Sequence, residues 1–445
     1  MGISYADAVQ LVEREAHQQR GAYSTKTEIC SLYNACDRNV FEAIYSPIST
    51  PRYDTSAMDG FALNSLATQT ASPENPVTFE VIATTTAGDT PHQQSSNLED
   101  GILPCVEIMT GAPFPVGQGS DHFDCCVPIE EVVMSENEVT KKRYISFAKP
   151  ARRQQHRRLA GGDFTKRDKI LGKRECIQPQ HIMALASVGV TEVRVLRKLR
   201  VAVFSTGCEV LSPETPDRRH DFMIHDANGP YLTTMLKRWG AEVDFRGLIR
   251  DSEEEVENAV LKALDEKQYD VIVTSGAVSA GRCDMIPASI NRIGGREVFH
   301  KVAVKPGHPI FFSMLPRRTD GETAFFGLPG NPVAAAACLR FFVLRYLSAL
   351  QGLEQERSAV AKLQPSSDAP PHRELGSVQN SVLQCRKEAD IFRPAIMTPC
   401  GKQVSVIADH SPGKTRPFLH ANCWVHISRG VSEVREGELV SVHHC

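Results

Sequence analysis

The chain reads as a multidomain α/β protein organised around a parallel sheet, and three observations carry that reading. Its 445 residues exceed one ordinary core. From Leu199 to Leu350, Val-rich strand runs alternate with helical runs, as in a parallel sheet covered by helices. Before and after that section, short apolar runs are split by Gly, Pro, Asn and Asp, the punctuation of β-rich domains.

In chain order, Tyr5 to Arg20 has near-helical apolar spacing. Ser31 to Tyr45 continues it with Leu32, Ala35, Val40, Phe41 and Ile44, so residues 1–45 are expected to be helical. Pro47 and Pro51 end that pattern. The segment SPISTPRYDTSAMDGFAL (46–63) has no helix or strand period and carries Asp54 and Asp59, which marks it as a functional loop. Val77 to Phe147 predicts a small β-rich domain with exposed loops at 72–76 and 91–101. Pro179 to Ser187 predicts a short helix leading into VTEVRVL.

Within 199–350, LRVAVFSTG precedes DANGPYLTTMLKRWG. AEVDFRGLI then precedes SEEEVENAVLKALDEK, where Ser252 and Glu255 have capping-box spacing. DVIVTSG and AFFGLPG complete the parallel set. The polar, proline-bearing stretch QPSSDAPP then leads to SVLQC, IFRPAIM, QVSVIA, CWVHIS and LVSVH, which predict a β-barrel-like or sandwich C-terminal domain.

Composition excludes several classes. The 41% hydrophobic and 23% charged content is that of a globular protein. Acids interrupt the apolar positions of the N-terminus, and no run of about 18 apolar residues is seen, so neither a signal nor a membrane span is expected. Ala6 breaks the myristoylation pattern, and the expected compartment is the cytoplasm. Thirteen cysteines without a CxxC pair argue against a disulfide framework or zinc ribbon, and most are expected to be buried small hydrophobes. Between Lys141 and Arg174, thirteen Lys or Arg face two Asp. Such a run is commonly a solvated face, and with few aromatics and no known module it is not read as a nucleic-acid site.

Ligands of parallel sheets lie beyond the strand C-termini. Those ends are STGCE (205–209), TSGAVSAGRCD (274–284) and GLPGN (327–331). In the last, Gly327 and Gly330 are expected to supply special backbone conformations, Asn331 an N-cap and Pro332 the first helical position. The resulting helix end suits an oxyanion, or is an ordinary capped helix. Glu209, Asp226 and Asp284 fall at or just after the strand ends, and acids beside phosphates suit Mg²⁺. Taken singly, Asp226 is equally a helix cap and Glu209 a solvated side chain. Lys301 and Lys305 are two strand periods apart in FHKVAVKPGHP, so they are expected on one face, toward phosphates or toward solvent. The Walker phosphate loop, the dinucleotide GxGxxG and the Gly-x-Ser-x-Gly elbow are absent. The residues therefore point to a metal-assisted enzyme or binder of a phosphorylated ligand.

Eight segments in register, TSAMDGFA, IMTGAPFP, GGDF, STGCEV, HDANGPYL, VTSGAVSAGRCD, KVAVKPGHP and GLPGNPV, span nearly the whole chain. Together they resemble the MoeA family of molybdopterin molybdenumtransferases, which includes the E domain of gephyrin. The resemblance implies an elongated homodimer and four domains: 1–60 with 148–197, interrupted by a β-rich 61–147, then a molybdopterin-binding 198–350 and a β domain at 351–445. It implies Mg²⁺-dependent insertion of molybdate into molybdopterin-adenylate, with release of AMP, and a molybdopterin adenylyltransferase on a separate chain. By motif, Asp59 and Thr110 would act from the partner subunit and Asp163 would support the cleft. Glu209, Asp226 and Asp284 would handle metal and adenylate, with Asp226 and Asp284 as metal ligands. Ser205, Gly207, Ser275, Gly276, Gly330 and Asn331 would bind substrate, as would Lys301, Lys305, His308, Pro309 and Arg393.

Departures from the family pattern cluster. Cys208 stands where an Asp is usual, Ala277 for a second Gly, His308 for the second Lys of KPGKP, and Ala334 for a Ser. SPGK (411–414) replaces a Ser-containing turn, while Ala421, Asn422 and Arg393 keep family residues. The adenylate half of the site is thus better kept than the oxyanion half, with a protonated His308 or Lys414 available as a substitute cation. A divergent paralogue for another adenylated ligand, or a gephyrin-like scaffold, are the rival readings.

Overall fold

A computed structural model describes residues 2–93, 103–116, 123–212, 222–250, 252–278, 285–317, 321–354, 356–364, 382–407 and 411–445. By contacts, the chain divides into two compact units, Met1–Glu28 with Leu196–Cys445, and Ile29–Val195. The expected grouping set residues 1–28 with 29–60 and 148–197, whereas here they join the unit holding the parallel sheet.

The first unit holds two six-stranded sheets. One is built from β1 (Arg200–Thr206), β2 (Glu242–Ile249), β3 (Val271–Ser275), β4 (Arg296–His300), β6 (Phe311–Pro316) and β7 (Glu322–Leu328), in the spatial order β2-β1-β3-β7-β6-β4. The first four of these are parallel, while β6 and β4 add antiparallel at one edge. Helices α2 (Asn228–Arg238), α3 (Glu253–Glu266) and α4 (Ile286–Arg292) belong to this section. Helix α3 starts where its sequence predicts, with the Ser252 hydroxyl accepting from Glu255 N at 3.3 Å, but the capping box stays half-formed because Glu255 Oε2 accepts from Arg250 N instead. Its apolar stripe, Val256, Val260 and Ala263, packs into a core with Phe204, Ile272, Phe311 and Phe325.

After β7 the chain forms a continuous helical run: α5 (Pro332–Cys338), a π turn at Leu339–Val343 and α6 (Leu344–Gln351). This Pro332–Gln351 segment is long and apolar enough to cross a membrane, which the sequence reading did not anticipate because Arg340 and Arg345 interrupt it. It lies mostly inside the fold, a core helix whose Tyr346 packs against the stacked rings of Phe312 and Phe326. The N-terminal helix α1 (Tyr5–Ser24) packs along α6.

The second sheet of this unit is a barrel. Strands β8 (Ala359–Gln364), β9 (Asp390–Met397), β10 (Gln403–Val406), β11 (Cys423–Ile427) and β12 (Leu439–His444) close through β9–β11 pairing, and β5 (Val304–Lys305) adds in parallel to β9. Alternate residues such as Ala361, Leu363, Val404, Val406, Val440 and Val442 fill it.

The second unit contains a six-stranded sheet, in the order Cys125–Pro128, Gly60–Leu63, Pro104–Ile108, Val77–Thr85, Arg143–Phe147 and Val132–Glu136. Helix Pro179–Ser187 forms where its sequence predicts.

Several expectations fail locally. Residues 31–45 are not helical but pass through a 3-10 turn at Leu32–Asn34 and a strand at Ile44–Tyr45. Asp37 takes a left-handed φ of 62°, which breaks a helix, and Leu32, Ala35 and Val40 enter a core with Leu171, Ile177 and Val195. The segment read as a loop holds the short strand Thr55–Ser56 and the fully buried Gly60–Leu63. Of the twelve described cysteines, all free, six are buried rather than most.

Candidate functional site

A cavity of about 500 Å³ opens at the C-terminal ends of β1, β3 and β7. Nine sequence-predicted residues line it: Ser205, Gly207, Glu209, Asp226, Ser275, Gly276, Pro309, Gly330 and Asn331. Gly413 of the SPGK turn lines it too. Asp284 lies outside the described residues, so the second acid of the expected metal pair has no described position.

Hydrogen bonds join the strand ends. The Thr206 hydroxyl donates to Ser275 O at 3.1 Å, and Ser275 Oγ donates to Pro329 O at 3.4 Å. Asn228 Nδ2 donates to Ser275 Oγ and to Gly330 O, each at 2.7 Å. One side chain at the start of α2 thereby ties the β3 and β7 ends together. The sequence reading assigned no role to Asn228 or Thr206, although each sits in a motif it quoted; their roles are contacts between segments distant in sequence. Gly276 takes φ 104°, and a Cβ there would lie 2.5 Å from Thr206 Oγ1, so this turn requires glycine. The next residue, Ala277, adopts φ 54° despite its Cβ.

Asp226 is buried, with 6% of its surface exposed. Its Oδ1 accepts from Asn228 N at 3.0 Å and Gly229 N at 2.9 Å, so the capping alternative for Asp226 is realised. Its Oδ2 is buried without a partner, as is Ser205 Oγ. An uncompensated buried carboxylate oxygen is costly, and a cation or ligand donor would satisfy it. No group of three His, Cys, Asp or Glu among the described residues forms a metal cluster. A Mg²⁺ ion, which commonly takes one or two carboxylates plus phosphate oxygens, fits Asp226 in that shared manner.

The helix end at GLPGNPV differs from expectation. Pro332 is the first helical residue and Asn331 holds the N-cap position, but the Asn331 side chain makes no capping bond. Val333 N donates to Pro412 O at 2.9 Å, so part of the helix end is closed. Neither Gly327 nor Gly330 has a positive φ. Gly327 is required instead by packing, since a Cβ would approach Val278 Cγ1 to 2.7 Å.

Lys301, Lys305, His308 and Arg393 do not line this cavity. The expected common face for Lys301 and Lys305 is overturned, because Lys301 takes φ 72° where β4 ends and Lys305 lies on β5, in the barrel sheet. Arg393 is buried on β9 and its Nε has no partner. Burial holds its guanidinium below its ordinary value. Lys305 is likewise lowered, by burial and by the nearby charges of Arg386 and Arg393. His308 Nδ1 lies 2.6 Å from Val302 O, which fixes the proton on that nitrogen.

In the second unit, Asp59 Oδ1 accepts from Thr110 N at 2.6 Å and Thr110 Oγ1 at 2.8 Å. The backbone N–H first, then the hydroxyl, lower the exposed carboxyl's pKa and keep it ionised. Asp54 accepts from Arg157 Nε and Ala160 N, each at 2.7 Å, and is therefore structural. Asp163 is exposed, its N–H donating to Thr50 O at 3.0 Å. Part of the basic run is paired within this unit, Lys142 with Glu80 at 3.1 Å and Arg143 with Glu107 at 2.7 Å.

Comparison with known proteins identifies the family. Residues 3–189 match the MoeA N-terminal region (domain I and II), and 202–349 match a probable molybdopterin binding domain. Molybdopterin molybdenumtransferase from Haemophilus influenzae is 30% identical over 423 residues, covering 94% of each chain. The protein of that name from Synechococcus elongatus is 33% identical over 349 residues, covering 78% of this chain and 81% of its own. The solved molybdopterin biosynthesis MoeA protein from Pyrococcus horikoshii superposes with a TM-score of 0.75 at 26% identity, covering 100% of this chain and 99% of that one. The chain belongs to the MoeA family of molybdopterin molybdenumtransferases.

Proposed function

We propose that this protein is a cytoplasmic molybdopterin molybdenumtransferase that inserts molybdate into molybdopterin-adenylate and releases AMP, in molybdenum cofactor biosynthesis. The observation that carries the reading is the pairing of two buried, unpartnered oxygens, Ser205 Oγ and Asp226 Oδ2, on residues lining one cavity at the sheet's C-terminal edge. Ser205 Oγ is suited to donate to a phosphoryl oxygen, and Asn228 with Ser275 holds the surrounding strand ends in place. Asp226, with Asp284, would hold Mg²⁺. That ion supplies charge neutralisation at the phosphates when bound. Glu209 lines the same cavity as a further acid for metal or adenylate.

Molybdate is assigned to Lys305 and Arg393, since an oxyanion would satisfy the unpartnered Arg393 Nε. Lys301, His308 and Pro309 complete that proposal. We further propose a homodimer in which Asp59 and Thr110 of one copy complete the cleft of the other, supported by Asp163. The domains would be those expected from the family pattern, except that residues 1–28 pack with the parallel-sheet unit, and a separate adenylyltransferase would supply the substrate. One observation favours the rival reading of another adenylated ligand: His308 is committed to Val302 O where the family has a cation.

Asp226→Asn tests the core of this proposal, because the amide oxygen keeps the cap while the charge is lost. AMP release should fall at least about 10²-fold, with stability changed by less than about 1 kcal/mol. Unchanged release would remove Asp226 from the reaction.

A further inference from the structure

A second cavity, about 320 Å³, lies in the same unit at the N-terminal ends of the strands, opposite the cleft. Asp270, immediately before β3, lines it, as does Glu322 at the start of β7. Strands of this length separate the two ends by roughly 17 Å. The volume is at the lower end of small-molecule sites, which run to about 300–1,000 Å³.

The lining has more cationic capacity than it uses. Asp270 is 5% exposed and already occupied: Arg197 Nη2 donates to both its oxygens at 3.0 and 2.9 Å, and Arg200 N donates at 2.8 Å. Glu322 accepts from Gln19 Nε2 at 3.0 Å and lies 3.5 Å from Arg296. Arg317 uses Nε on Thr323 Oγ1 at 2.9 Å and Nη2 on Tyr269 O at 2.7 Å, with Nη2 also 3.8 Å from Asp270 Oδ1, leaving Nη1 without a hydrogen bond among the described residues. Lys26 lines the cavity, and its Nζ makes no hydrogen bond or ion pair with the described residues. Burial and the charges of Arg317, Arg197 and Arg200 lower its pKa against the attraction of Asp270.

Tyr346 supplies an independent observation. Its side chain is 99% buried, being only 1% exposed, it lines this cavity, and its hydroxyl has no partner among the described residues. An acceptor held in the cavity could take a hydrogen bond from that hydroxyl. Lys26, Arg317 and Tyr346 offer donors only toward this space, since the Tyr346 hydroxyl is kept protonated by burial.

We propose that this cavity binds a small oxyanion-bearing metabolite, its carboxylate or phosphoryl oxygens held by Lys26 Nζ, Arg317 Nη1 and the Tyr346 hydroxyl. The site is separate from the adenylate cleft and does not rest on the proposed transferase activity. Binding would join the end of α1 to the base of the sheet.

Acetic anhydride labelling of the full chain, mapped by mass spectrometry, reads Lys26 individually. Inorganic phosphate and citrate, each compared with chloride at equal ionic strength, separate phosphoryl from carboxylate ligands. One or both should slow Lys26 labelling about threefold or more once the anion exceeds twice its dissociation constant. Lys305, read in the same digest, distinguishes this from anion binding at the barrel. Tyr346→Phe, which removes one oxygen, and Arg317→Gln should each weaken the protection. Lys26 labelling indifferent to both anions would overturn the proposal, as would full protection in both variants.

Discussion

At the residue scale, the site departs from ordinary folding preferences in two neighbouring places. Asp226 carries a buried oxygen without a partner, and Ala277 holds a left-handed φ of 54° next to a glycine that cannot be replaced. A Cβ in that region costs about 1–2 kcal/mol. Ala277→Gly should therefore stabilise the protein by about 1 kcal/mol, readable as a higher urea midpoint with an unchanged slope. A lower midpoint would show that the Ala277 methyl packs well enough to outweigh the strain. The residue was legible as a departure from the family's second glycine, whereas its backbone conformation was not. Asn228 shows the opposite case: its motif was visible, but its role depends on Ser275 and Gly330, distant in sequence.

At the scale of elements, legibility followed periodicity. Helices α2 and α3 were readable from their apolar period, and strands β1, β2, β3 and β7 from the regular alternation of Val-rich runs with helical ones, the central strands being buried on both faces. Residues 31–45 misled because their apolar residues have helical spacing by coincidence, while Asp37 turns the backbone left-handed. FHKVAVKPGHP misled likewise: alternation holds along β4, fails at Lys301, and resumes on a strand of another sheet.

Strand β12 makes a further prediction. His443 is pushed down to about 4 from an ordinary 6.5, first by burial and then by Arg340 and His426. The fold thus favours its neutral form. Its contribution to stability is complete above about pH 6.5 and is lost progressively as pH falls toward 4. Melting temperature measured across that window should decline with acidity, and His443→Gln should flatten the decline. An identical pH profile in the variant would place the titration elsewhere.

At the scale of the whole molecule, the sequence placed a parallel sheet, a separate β-rich region and a terminal barrel, all of which the structure contains. It did not place α1, which packs on α6 rather than joining the segment that follows it. Local patterns cannot reveal which distant partner covers an amphipathic helix. The proposed dimer makes a prediction at this scale. If Asp59 of one copy serves the cleft of the other, Asp59→Ala and Asp226→Asn are inactive alone. Equal mixtures allowed to exchange subunits should recover about a quarter of wild-type activity, since half the dimers carry one intact site of two. No recovery, with exchange verified, would place both residues in one subunit's site.

The proposed transferase joins two kinds of site: a cleft with unpartnered oxygens for the adenylate, and a cationic pair, Lys305 and Arg393, for an oxyanion. Its most direct test is AMP release from molybdopterin-adenylate by the purified protein with Mg²⁺, with and without molybdate. Release should depend on molybdate and be lost in Arg393→Met, while adenylate binding persists. Release that is indifferent to molybdate, or tight adenylate binding with no release under any molybdate concentration, would contradict it.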